Sequence, residues 1–343
     1  MKKLILTTAV VSVVLSGCGG GGSAANPSAV SPATPATPGA PAVTPGDTQT
    51  SVPPFSYASK SEEGAFATAL NDFRKSVGLG LLAQDTSLDA AAANHLSYLL
   101  VNDKNNGGTV DFNAIDASTG RSALHIENAN LPKFTGIQEQ DRSKVTGYTG
   151  TYTGEEVTFG GGHGGAAALS TLTQTVYHRA GLMLQNVREL GIAVGADRSQ
   201  TAVLEMGLKT AQSVSSDYVG VYPSPDQIGV PLHAYVESPN PFPELSTSNS
   251  DFPTKTAFPI SVSIVSGNTL AVSSFTITQV GQNTPLSTRV MTRSNDPNAY
   301  LDRNVAFAIG NAPFQPGTAY RVKFVGTNNG IAFSKEWTFT TQN

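Results

Sequence analysis

The chain has 343 residues, a net charge of −4 and only 13 % charged residues. That length allows two modest domains, and without a basic excess no nucleic-acid partner is expected. The single cysteine excludes an intramolecular disulfide and any cysteine-based zinc site, so the fold must be held by its cores.

The N-terminus accounts for that cysteine. Lys2 and Lys3 are followed by an apolar run from Leu4 to Leu15, far short of the ~20 residues a spanning helix needs. Small residues then lead to Cys18, and the pattern is that of an export signal over residues 1–17. The Leu-Ser-Gly-Cys ending resembles a bacterial lipoprotein signal. The resemblance implies cleavage before Cys18, lipidation of that thiol and anchoring to the cell envelope. Gly19 in place of aspartate implies the outer membrane in a Gram-negative cell. Residues 18–59 are Gly, Ser, Ala, Thr and Pro with almost no charge. Too little apolar surface is present to offset ordering entropy, so a disordered spacer is expected there.

Apolar periodicity begins near Ser61. Phe66, Leu70, Phe73 and Val77 form one helical stripe, ended by Gly78 and Gly80. Leu88, Ala92, Leu96 and Leu99 give a second helix after a capping Asp-Thr-Ser start, with His95 beside the stripe as a core or boundary residue. Asn102 to Gly120 is polar and Gly-rich, hence loop. Leu169, Leu172 and Val176 predict a further helix, with His178 near its C-terminal end. His163 lies in a glycine run. No G-x-S-x-G elbow, H-E-x-x-H zinc helix or phosphate loop is present.

From Asn71 and Arg74 through GLGLLAQDTSLDAAAANHLSYL, the chain resembles the opening of the CAP superfamily, also called SCP/PR-1-like or cysteine-rich secretory proteins. Later residues extend the likeness: His125, Arg142, Gly147-Tyr148, Gly154-Glu155, LTQTVYHR, ELGIAVG and TAVLEMG. Leu172 and Thr175 replace the family's usual Trp and Ser. The resemblance covers roughly residues 60–214 and implies an α-β-α sandwich with a surface cleft carrying two histidines and two glutamates. It puts His125 and His178 at the histidine positions and Glu155 at one glutamate. The second glutamate has no counterpart between Gly160 and Tyr177, and Glu127 and Glu156 are both candidates for it. The implied cofactor is a divalent metal such as zinc, for which two neutral imidazoles and one or two carboxylates are suitable donors.

Beyond Leu208 the pattern changes to short alternating strands. Ile260, Val262 and Ile264 share one face, as do Phe275 with Ile277, and Tyr320 with Val322 and Phe324. Asn329-Gly330 signals a tight hairpin before a last strand carrying Trp337 and Phe339. Residues 215–343 resemble a bacterial Ig-like module of the S-layer type, and the two modules are expected to fold separately. The fold class is therefore α+β. The expected function is an envelope-anchored lipoprotein whose cleft binds a lipid, glycan or peptide. The alternatives are a metal-dependent hydrolase using Glu155 as general base and a purely architectural envelope or adhesion protein.

Overall fold

The computed structural model describes residues 46–116, 119–159, 164–196, 201–247 and 251–343. Cys18, most of the spacer and His163 lie outside these residues. The described chain is a mixed α+β structure. The elements in its first part are α1 (Glu62–Ser76), β1 (Ala83–Gln84), α2 (Thr86–Asn102), α3 (Glu139–Val145), β2 (Tyr152–Thr158), α4 (Gly165–Thr173), α5 (Tyr177–Leu182), β3 (Glu189–Val194) and β4 (Ala202–Leu208). The second part holds β5 (Val219–Tyr222), β6 (Gln227–Val230), α6 (Phe252–Lys255), β7 (Ile260–Ile264), β8 (Leu270–Gln279), β9 (Thr288–Thr292), β10 (Val305–Gly310), β11 (Ala319–Asn328) and β12 (Ile331–Thr341).

Local chemistry starts the two long helices. The Ser61 side chain accepts from the Gly64 N–H at the start of α1, and Asp85 accepts from Ser87 and Leu88 at the start of α2. Each satisfies donors that a helix start leaves unpaired. The first sheet runs β1-β3-β4-β2, with β1 parallel to β3 and the other pairs antiparallel. Leu190, Ile192, Leu204 and Met206 face α1 and α4, whereas Ala193, Val203 and Val157 face α2. The sheet is thus covered by helices on both faces, and β2 is its edge.

The second part forms two four-stranded sheets, β5-β7-β10-β9 and β6-β12-β11-β8. Ile260, Val262 and Ile264 of β7 meet Phe275, Ile277, Val322, Phe324 and Trp337 across the space between them. The β11–β12 hairpin turns at Asn329 and Gly330, both with positive φ, as that dipeptide predicts. All residues of β7 and β10 are buried, on both faces. The outer face of this sheet therefore packs against something else, and that is largely the first part of the chain.

Strand pairing divides the chain between Leu208 and Val219, but buried side chains cross that division. Val176 joins Phe242, Phe252, Leu301 and Phe307 in one apolar cluster, and Tyr218 joins the core under α1. Arg179 is fully buried. It donates to the carbonyls of Thr173 and Pro259 and lies 4.5 Å from the centroid of Phe258 and 4.9 Å from that of Tyr222. Gln185 donates to the Ile264 carbonyl at 2.7 Å and accepts from the Ser266 N–H at 2.8 Å. The described residues, from 46 onward, belong to one compact unit.

The expected spacer is shorter than residues 18–59, because residues 46–59 pack on the body. Gln49 donates to the Leu81 and Arg188 carbonyls at 2.9 and 3.1 Å, and its N–H reaches Gln212 Oε1 at 2.9 Å. Tyr57 donates to Asp89 at 2.6 Å. These are single polar anchors in a low-complexity setting, which composition averages away.

The crossing contacts predict one unfolding transition. Nearly all helix lies before Leu182, while the sole tryptophan, Trp337, sits in the second part. Urea curves from helical circular dichroism and from tryptophan fluorescence should coincide. Arg179→Ala should move both together, by on the order of 3 kcal/mol, through lost charged hydrogen bonds and cation–π contacts. Two separated transitions would show that the halves fold independently.

Candidate functional site

The site grows from the edge strand β2. Side chains alternate along a strand, so Glu155 points to the α2 face and Glu156 to the α5 face. Two glycines bring the helices close. A Cβ at Gly191 would lie 2.1 Å from the Leu88 carbonyl carbon of α2, and one at Gly181 of α5 would lie 1.7 Å from Glu156 Oε1. A side chain at Gly191 would collide with the α2 backbone, and one at Gly181 would displace the Glu156 carboxyl from its position.

On the α2 face the polar groups engage one another. Glu155 Oε1 lies 2.8 Å from His125 Nδ1 and 3.6 Å from His95 Nε2, while Glu155 Oε2 accepts from Arg142. His95 is fully buried, with Nδ1 2.9 Å from Glu127 and Nε2 2.9 Å from the Leu124 carbonyl. Glu127 also accepts from the Thr135 N–H at 2.6 Å and the Gly136 N–H at 3.3 Å. Burial alone would raise the Glu155 carboxyl, but Arg142, His95 and His125 hold it well below the usual range. Glu205 is the cross-strand partner of Glu155 and is fully buried. No hydrogen bond satisfies either Glu205 oxygen among the described residues. Burial and the neighbouring Glu155 charge push Glu205 well above the usual range, so it is the neutral member of the pair.

Beside these groups lies a cavity of about 300 Å³ lined by His125, Glu155, Glu156 and His178, with Tyr177 and Tyr300 at its wall. Burial lowers His125 below the ordinary imidazole value, partly offset by its bond to Glu155. Burial would lower His178 too, but Glu237, 3.2 Å from its Nδ1, and the nearby Glu156 raise it. Burial pushes Glu156 up to about 8, with Glu237 and Glu155 adding to the rise. The cavity therefore presents a carboxyl at Glu156 that keeps its proton to about pH 8, beside two imidazoles shifted in opposite directions, His125 down and His178 up.

Two sequence expectations change here. His178 does not end a helix. The predicted helix stops at Thr173, and α5 restarts at Tyr177 because Glu237 accepts the N–H groups of Val176 and Tyr177 at 2.7 and 2.9 Å. Of the two candidates for the second glutamate, Glu156 lines the cavity, whereas Glu127 is held in the interior by His95. Glu237 and Glu205 were not anticipated. Glu237 sits in a Pro-rich stretch of the second part, and Glu205 in an apolar strand whose one carboxylate, TAVLEMG, was the available signal.

Arg142 and His125 engage the two oxygens of Glu155, while His125 and His178 each face a carboxylate through Nδ1, an arrangement that metal-ligating histidines share. Among the described residues no three His, Cys, Asp or Glu side chains form a group able to hold a metal ion. The chain matches no family model and no curated protein.

The Glu155/Glu205 rung allows a sharp contrast. Glu155→Gln leaves Arg142 buried without its partner and should cost about 3–5 kcal/mol at neutral pH. The carboxyl of Glu155 is depressed in the folded state, so its contribution is present above the unfolded value and fades as pH falls. Glu205 is raised in the folded state, so its charge opposes folding increasingly as pH rises above about 4.3. Glu205→Gln should therefore match wild type near pH 4 and equal or exceed it near pH 7. Urea unfolding of both variants at the two pH values measures this.

Proposed function

We propose that the protein is an exported lipoprotein, anchored to the envelope through Cys18, whose CAP-like body carries a binding cleft and whose C-terminal sandwich is Ig-like. The ligand class is lipid, glycan or peptide. One observation carries the reading: His125 and His178, far apart in sequence, face one cavity, and each is braced at Nδ1 by a buried carboxylate. Such bracing fixes ring orientation, which a solvated surface histidine does not require. It favours a cleft over a purely architectural protein.

Binding is favoured over metal-dependent hydrolysis. A carboxylate held well below its usual range by Arg142 is a weak base, and freeing Glu155 for a water would strand a buried guanidinium. The geometry equips the cavity to donate to and accept from a bound polar ligand.

Two experiments test the proposal. Cys18→Ser should shift the protein from the membrane fraction to the soluble fraction; retention on membranes after a high-salt wash would defeat the anchor. Nitrogen-detected NMR titration should show His178 holding its proton to higher pH than His125. A common midpoint at the free-histidine value would show both rings solvated and the cleft reading wrong.

A further inference from the structure

The 300 Å³ cavity adjoins a second one of about 440 Å³, and both are lined by Arg121, Glu155, Glu156, Tyr177 and Tyr300. The larger cavity runs between the first sheet and the second part of the chain, which supplies Tyr300, Asp302, Asn304 and Ser263 to its wall. Together they fall in the size range of small-molecule sites. Glu156 sits where they meet. It is only 8 % exposed, lines both cavities and makes no hydrogen bond to any described residue. A carboxyl in that position is free to exchange water for a hydrogen bond to a ligand.

The rest of the lining defines what that ligand is. Tyr152 and Tyr300 are 39 % and 45 % exposed, giving open aromatic surface at the mouth. Tyr177 is fixed between them and the floor: its hydroxyl binds Asp296 and accepts from Asn298 at 2.9 Å, and its ring meets Tyr300 at 5.4 Å. The charged groups are mostly neutralised. Arg121 is paired with Glu139 at 2.9 Å and Glu155 with Arg142, which leaves Asp302 as the unbalanced charge. Exposed aromatic faces, short polar side chains and little net charge suit a ligand with apolar ring faces and many hydroxyls. A polyanion would be repelled by Asp302, and a fatty chain would leave Glu156 unpaired.

We propose that the two cavities are one cleft, completed by the second part of the chain, that binds a neutral oligosaccharide with a sugar hydroxyl on Glu156 and a sugar ring against Tyr300. This rests on the cleft reading above and narrows its ligand class. Glu156 donates while it is protonated. Its charge is set from β2 by Glu155, from α5 by His178 and from the second part by Glu237. Loss of its proton as pH passes about 8 turns it from a donor into an acceptor, and a sugar hydroxyl can meet either.

The test is saturation-transfer NMR on the full-length protein in detergent, with maltohexaose, cellohexaose and the hexamer of N-acetylglucosamine as probes. At least one should bind with a Kd of about 1 mM or tighter. Tyr300→Ala, at an exposed ring, should weaken it about tenfold, in line with a lost aromatic contact. Glu156→Gln should retain affinity, because its amide keeps a donor and an acceptor, whereas Glu156→Ala should weaken it. A fluorescent fatty acid run in parallel separates the two levels of the claim. Fatty-acid binding that His125→Ala abolishes, with no saccharide bound, overturns the glycan assignment and leaves the cleft standing. Binding of neither probe overturns the glycan assignment and counts against the cleft itself. Saccharide binding unchanged in both Tyr300→Ala and Glu156→Ala would place the sugar elsewhere and also overturn it.

Discussion

The carboxylate of Glu155 is the constraint on which the site depends. It is buried on an edge strand, and burial of a charge is costly unless other groups surround it. Arg142, His125 and His95 do so from three different segments. Each of those groups is in turn tied down: His95 to Glu127 and the Leu124 carbonyl, Arg142 to the His125 carbonyl at 3.3 Å. The loop between α2 and α3, which has little regular structure, is held to the sheet by this network together with Phe112, which packs in the cluster with Val157 and Val203. His125 reaches the cavity because that loop is held there.

The neutral carboxyls follow from the same charge. One ionised glutamate with a guanidinium beside it is tolerable in the interior; a second on the adjacent strand is not, and Glu205 keeps its proton. Glu156 is one residue further along β2 and faces the opposite side, where no arginine compensates it. Alternation along a single strand thus gives neighbouring glutamates opposite protonation, one an acceptor and the other a donor. That division is a common basis for paired polar roles in binding and catalytic sites.

A second constraint acts between the halves of the chain. The β7 and β10 strands of the β5-β7-β10-β9 sheet are buried on both faces, so one face must be covered by something other than the partner sheet. The first part covers it, through Arg179, Val176 and Gln185. The same packing brings Glu237 onto the start of α5 and Tyr300 to the mouth of the cavity. Joining of the halves and completion of the cleft are therefore one event.

Composition and periodicity alone determined much of this protein. Helical stripes predict α1 and α2, and their caps sit at Ser61 and Asp85 because serine and aspartate side chains satisfy nearby N–H groups. Alternation and Asn329-Gly330 predict the β11–β12 hairpin. These are local effects, carried by neighbours within a few residues. The family resemblance, not any local pattern, grouped His125, Glu155 and His178, and it said nothing of how they are joined. Only the tertiary structure decided that Arg142 and His95 enclose Glu155, that Glu156 rather than Glu127 faces the cavity, and that Glu237 restarts a helix and braces His178. It also decided that residues 46–59 pack on the body. Those outcomes depend on desolvation and on partners from 13 to 60 positions away or more, and neither leaves a periodic trace in the chain.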